Sequence, residues 1–312
     1  MTIKLNKVVA AALLLGTFTG AMANVFNPSA STGVVFIGDQ GKDNEGQHLI
    51  AQSMQTFCVF EDCDLGMTAG DNVYHEGVSS PTDPILETRW DKYYNPLNML
   101  FLITLGNHDY GKFSNDWKRG SYQLLHAQKN PLFYFPAYYY SYETEESVFA
   151  VIDTTRLMWK KETAQQAQMV QQAYAKAKQL KKWFFVLGHH PYLSNGKHGN
   201  AGRYERLAVP YFVSGSNVKR FLDQNVCGKA HFYLSGHDHN LQLIDGNVRG
   251  CNTQLILSGS AASTTKLYKR NPVHFESSQL GYFHLAISPE IVSVKAVDQN
   301  ASVMFTKSFL KQ

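Results

Sequence analysis

The chain has 312 residues, 44% of them hydrophobic and 17% charged, with a formal net charge of +4. That length can bury a large core, and the lack of long Pro, Ser or Gln tracts excludes a disordered or low-complexity chain. Lys4 and Lys7 lie in a segment expected to be removed, which leaves a charge of about +2, too small to indicate nucleic acid or an anionic membrane as a partner.

The first residues read as an export signal. Lys4 and Lys7 precede an apolar run over 8–15, and Ala21-Met22-Ala23 has the small-x-small form of a cleavage site. Residues 1–23 are therefore expected to be a signal peptide, with the mature chain starting at Asn24 in the periplasm or outside the cell. The run is too short to span a bilayer, so no stable membrane anchor is expected. In an oxidising compartment the even set Cys58, Cys63, Cys227 and Cys251 reads as two disulfides. Three pairings are open, and Cys58 with Cys63 and Cys227 with Cys251 is the preferred one.

Val34 to Ile37 reads as a strand ending at Gly38-Asp39, followed by a helix over 44–57. Residues 65–69 form a short, mostly apolar run that delivers Asp71, with Tyr74 just beyond it. A helix around 85–94 comes next, and the apolar run 100–105 leads into Gly106-Asn107-His108-Asp109. This alternation predicts an α/β protein. Residues 133–142 and 147–152 read as two strands joined by an acidic turn, and 161–181 as an amphipathic surface helix whose lysines form a solvated face. Trp183 to Leu187 leads into Gly188-His189-His190, and His231 to Leu234 into Ser235-Gly236-His237-Asp238-His239. The remainder reads as antiparallel strands. Because the polar clusters from Asp39 to His239 make sense only together, residues 24–312 are expected to form one domain.

Five strand ends thus deliver Asp39; Asp71 with Tyr74; Asn107 with His108; His189; and His237 with His239. Ligands of α/β sheets bind at the carboxyl ends of strands, where loops converge without disturbing the core. Carboxylate, amide and imidazole donors with a phenol suit two first-row transition metals, and no cysteines sit at structural-zinc spacing. Each cluster alone has a bland reading as a turn or a capping histidine. Their recurrence after five apolar runs points to a metal centre.

The order Asp, Gly-Asp-x-x-Tyr, Gly-Asn-His, Val-x-x-His and Gly-His-x-His resembles the pattern of the calcineurin-like metallophosphoesterases, and within them the purple acid phosphatases of the small tartrate-resistant type. It is matched by Asp39, Gly70 to Tyr74, Gly106 to His108, Val186 to His189 and Gly236 to His239, a resemblance that spans nearly all of the mature chain. Most relatives carry a His two residues after the first Asp; here Gly41 stands there and Tyr74 takes the purple branch's position. The resemblance implies two mixed β-sheets packed as a sandwich and flanked by helices. It further implies Fe(III) on Asp39, Tyr74, His239 and a bridging Asp71, with Fe(II), Zn(II) or Mn(II) on Asn107, His189, His237 and the same Asp71. Phenolate is a harder donor than imidazole and suits Fe(III). His108 and His198 match the two histidines the family places beside the substrate.

The activity so implied is that of an exported, monomeric acid phosphatase, in which a metal-held hydroxide attacks a phosphomonoester in line. Phosphodiesterase or nucleotidase activity at the same centre, or a redox-active di-iron protein, are the alternatives. His190 falls outside the ligand spacing and is expected behind the ligands or at the rim. Gln40, where small phosphatases often carry an aromatic residue, and the unmatched Cys58 to Cys63 loop are both expected near the cleft, with a bearing on substrate preference.

Overall fold

A computed structural model describes residues 31–202 and 215–311. The expected signal peptide and the start at Asn24 lie outside these residues. In chain order the elements are β1 (Thr32–Ile37), α1 (Glu45–Phe57), β2 (Leu65–Thr68), α2 (Lys92–Tyr94, preceded by a π-helical turn Glu87–Asp91), β3 (Leu100–Leu102), α3 (Trp117–Ala127), β4 (Phe133–Tyr134), β5 (Tyr140–Glu143) and β6 (Ser147–Val151). There follow α4 (Thr154–Met158), α5 (Thr163–Gln179), β7 (Trp183–Leu187), α6 (Gly215–Asn225), β8 (Phe232–Ser235), β9 (Leu241–Ile244), β10 (Gln254–Ser258), β11 (Phe275–Ser277), β12 (Gly281–Ile287), β13 (Ile291–Asp298) and β14 (Val303–Leu310).

The strands form two seven-stranded mixed sheets flanked by helices, ordered β14-β13-β12-β1-β2-β3-β4 and β11-β9-β10-β8-β7-β6-β5. In the first, β1 to β4 are parallel and β12 to β14 antiparallel; in the second, β6, β7, β8 and β10 are parallel. The alternation of strand side chains sorts the second sheet between two cores. Phe149, Val151, Phe185, Leu187, Phe232 and Leu234 pack with Phe36, Phe101 and Phe283 of the first sheet, whereas Val148, Ala150, Phe184, Val186 and Tyr233 face Val170, Ala177, Val218 and Phe221 of the helices. With apolar groups needed on both faces, these strands carry no polar alternation.

Local signals set the element that follows β1. The Asn44 side chain accepts from Gln47 N at 3.0 Å, while Gln47 Oε1 accepts from the amides of Lys42 and Asp43, a reciprocal cap that starts α1. Both preferred disulfides are formed, Cys58–Cys63 and Cys227–Cys251. Among the described residues no helix is long and apolar enough to cross a membrane.

Four expectations are corrected. The run 255–257, read with the antiparallel remainder, lies in β10, which pairs parallel with β8 and antiparallel only with β9. The aromatic run 133–142 is not one strand: β4 joins the first sheet and β5 the second, with Pro136 between them. Helices α3 and α4 were not expected. The Cys58–Cys63 loop is remote from the cleft: Asp64 N donates to Gly33 O at 2.8 Å and Gly33 N to Asp64 Oδ2 at 2.7 Å, which fixes the loop at the starting ends of β1 and β2.

Candidate metal centre

The five strand ends named above meet where the two sheets approach. Gly236 N donates to His189 O at 2.9 Å, and His237 N to Asp39 Oδ2 at 2.8 Å, so the second sheet is fastened to the first through a site carboxylate. Close approach explains two of the glycines. A Cβ on Gly106 would stand 2.2 Å from Asp71 Oδ1, and one on Gly236 would stand 2.4 Å from Asp39 Oδ2. Asp39, Asp71 and His237 have φ of 59°, 56° and 71°, a left-handed backbone uncommon outside glycine. Each costs on the order of 1 kcal/mol and persists because its surroundings over-determine it.

All seven residues proposed as ligands come together. The Tyr74 hydroxyl lies 3.0 Å from Asp39 Oδ1, 2.8 Å from Asp71 Oδ2 and 3.0 Å from His239 Nε2, which is itself 3.5 Å from Asp39 Oδ1. On the other side of Asp71, His189 Nε2 lies 2.9 Å from Asn107 Oδ1, 3.1 Å from His237 Nδ1 and 3.5 Å from Asp71 Oδ2. Asp71 thus faces both groups. Asp39, Asp71, His189 and His237 are buried; Asn107 and His239 are half-buried.

This donor set fits cations. His189 Nδ1 is 2.7 Å from the Ala69 carbonyl, which can only accept, so in the neutral ring the proton sits there and Nε2 presents a lone pair; without a cation, burial pulls the ring's pKa down but Asp71 and Asp39 outweigh it and raise it. That lone pair points at an amide oxygen, a carboxylate oxygen and a second imidazole. Around Tyr74, two carboxylate oxygens and an imidazole nitrogen crowd a single hydroxyl proton. Burial and the carboxylates of Asp39 and Asp71 push the Tyr74 phenol well above its usual range, so protein groups alone would keep it protonated. Burial also pushes the Asp71 carboxyl up, but His189, His108 and the His108 amide outweigh it and bring it down to about 2. Burial and neighbouring imidazoles hold His237 well below the usual histidine range, the neutral state a ligand needs.

The two candidate proton donors flank these groups. His108 Nδ1 faces the His75 carbonyl at 2.7 Å, and its ring lies 4.5 Å from the Tyr74 ring. With Nδ1 donating to that carbonyl, Nε2 is left for a substrate. The His198 ring lies 4.1 Å from the His237 ring, and its amide donates to Asp238 Oδ1 at 2.9 Å. His190 is fully buried, not at the rim: its Nδ1 meets Thr154 Oγ1 at 2.8 Å, and its ring lies 4.5 Å from that of His237. Gln40 is buried as well, with Nε2 donating to Asn72 Oδ1 at 2.8 Å, so it supports the Asp71 loop and does not line a cleft.

Two neighbours had no signal in the spacing. Ser263 Oγ lies 2.9 Å from His239 Nδ1 and accepts from Lys42 Nζ at 2.6 Å, and that ammonium stands 4.6 Å from the Tyr74 ring centre. Such outer partners orient a ligating ring and tune it. Ser263 follows β10, another parallel strand with an apolar run, and the Ser-Gly-Ser after that run was the available clue.

The sequence matches the calcineurin-like phosphoesterase family over residues 33–241, and the chain belongs to that family, whose members use a dinuclear metal centre. Its relatives include purple acid phosphatase 3 of Arabidopsis thaliana, 25% identical over 290 residues that cover 85% of this chain and 73% of that one. Tartrate-resistant acid phosphatase type 5 of Sus scrofa is 26% identical over 274 residues, covering 78% and 74%. Among solved structures, GAP50, described as the anchor in the inner membrane complex of Plasmodium, superposes with a TM-score of 0.72 at 23% identity, covering 91% of this chain and 90% of that one. That last likeness speaks for the fold alone.

Proposed function

We propose that the protein is an exported acid phosphatase, a single domain over 24–312 that acts as a monomer on phosphomonoesters at a centre of Fe(III) paired with Fe(II), Zn(II) or Mn(II). The observation that carries this reading is the buried Tyr74 hydroxyl set between Asp39 and Asp71, a donor that only a strongly charged cation would turn into a phenolate. Asp39, Tyr74 and His239 would hold the trivalent ion, Asn107, His189 and His237 the divalent one, and Asp71 both. When bound, such a pair supplies a water nucleophile active below neutral pH and neutralises charge on the phosphoryl oxygens. His108 and His198 stand outside the ligand set. Each orients the ester, and His108, its Nδ1 committed to His75, delivers a proton from Nε2 to the departing oxygen. Both disulfides fit an oxidising compartment, and the relatives named as acid phosphatases fit the substrate class.

The test is a visible spectrum of the purified protein together with turnover of p-nitrophenyl phosphate and bis-p-nitrophenyl phosphate. A tyrosinate-to-Fe(III) band and preference for the monoester are expected. A colourless active enzyme would remove the iron assignment, and preference for the diester would replace the phosphatase by a phosphodiesterase.

A further inference from the structure

A groove of about 520 Å³ opens at the starting ends of β7 and β8. β7 spans five residues, roughly 17 Å at the usual strand rise, so the groove lies at the opposite end of that strand from His189. Its walls carry Lys178 from the last turn of α5, Lys181 and Lys182 from the turn before β7, Lys229 from before β8 and Lys311 from after β14. Tyr174 and Phe184, their rings 5.7 Å apart, contribute an aromatic wall. Glu290 is the one carboxylate among the described lining residues.

Three of the ammonium groups are held in place. Lys182 Nζ donates to Glu143 Oε1 and to the Thr144 carbonyl, both at 2.7 Å. Lys311 Nζ donates to Lys181 O at 2.9 Å and stands 5.0 Å from the Trp183 ring centre, and Lys229 Nζ donates to Gln224 O. Since an ammonium has three N–H donors, each keeps at least one for a ligand. Lys178 and Lys181 are exposed, and neither has a carboxylate within 4.0 Å among the described residues. A solvated helix face would not need cations from three separate stretches, 178–182, 229 and 311, to converge. Gathering like charges carries a Coulombic cost, and His231, held below its usual range first by burial, also feels the nearby Lys311. A bound anion offsets that cost.

We propose that this groove is a second anion site, for a compact ligand of linked phosphate groups carrying three or more negative charges. Inorganic polyphosphate and nucleoside triphosphates share this chemistry; a nucleotide base would add contact with Tyr174 and Phe184. The site is independent of the phosphatase reading.

Lysine acylation read by mass spectrometry on the metal-loaded full chain resolves each lysine. With a methylene-bridged triphosphate, which resists hydrolysis, acylation of Lys178, Lys181 and Lys311 should slow by about tenfold, with Lys118 and Lys129 unchanged, as expected of charge-driven occupancy. Protection that is uniform, absent, or confined to Lys42 and Lys197 overturns the proposal. In equilibrium dialysis the double variant Lys178→Glu, Lys229→Glu should lose one bound triphosphate per chain while keeping the wild-type circular dichroism spectrum and a cooperative thermal transition, which certify its fold. Unchanged binding in that folded variant overturns the proposal. A methylene-bridged ATP analogue that binds more tightly than the bare triphosphate assigns the ligand to nucleotides; equal or weaker binding assigns it to polyphosphate.

Discussion

The crowding of acceptors around Tyr74 and His189 is the physical signature of the site, and it rests on residue types the sequence displays openly. Carboxylates, an amide, imidazoles and a phenol placed after apolar runs are legible because a donor must stand at a strand end to reach its neighbours. Ser263 and Lys42 were not legible: a hydroxyl and an ammonium have no characteristic spacing, and only packing brings them beside His239 and Tyr74. On the proposed function, His108 is the residue whose removal would separate chemistry from metal binding. The substitution His108→Ala should lower turnover by roughly a hundredfold or more, the usual scale of a lost general acid, while metal content measured by elemental analysis stays unchanged. Loss of metal together with activity would reassign the His108 side chain to holding the centre, since its backbone amide, which donates to Asp71 Oδ1 at 2.9 Å, is kept in the variant.

Elements were readable where one period dominated. Continuous apolar runs marked β1, β7 and β8, because both faces of those strands are covered. The run around Pro136 was misread because ten mainly aromatic residues hide a crossing between sheets, and no polar break marks it. Helix α3 escaped notice because Gly120 and a mixture of aromatic and charged residues blur its period. At the start of α4, Asp153 caps the helix through Arg156 N at 2.9 Å and also accepts from the Tyr110 hydroxyl. Burial raises this carboxyl to about 6, above its unfolded value of 3.8, although Tyr110 and Arg156 pull the other way. Its protonated form therefore favours the fold: the contribution is complete below pH 3.8 and is lost as pH rises through about 6. That difference corresponds to roughly 3 kcal/mol. Urea midpoints should fall between pH 4 and pH 7 in the wild type, and Asp153→Asn should flatten that part of the profile. A variant profile parallel to the wild type would show that the carboxyl titrates normally.

On the scale of the molecule, the candidate ligands come from both sheets, so cations would bind the assembled fold and not the open chain. Removing them with a chelator should lower the thermal midpoint in proportion to the stabilisation lost, about 4 kcal/mol when free metal stands a thousandfold above its dissociation constant. Scanning fluorimetry with and without chelator measures this, and an unchanged midpoint would mean that the ions are not part of the folded state.

The strand order carries one more consequence. β1, which holds Asp39 at its tip, is flanked on one side by β12, with Val34 opposite Leu285. A ribosome therefore releases β12 to β14 only after β1 to β11 have been made, and until then β1 has one edge open. A nascent chain that has not yet released β12 leaves the first sheet incomplete, in a topology rich in long-range pairing that closes slowly. That delay keeps the emerging polypeptide threadable, a state that the export proposed above would use.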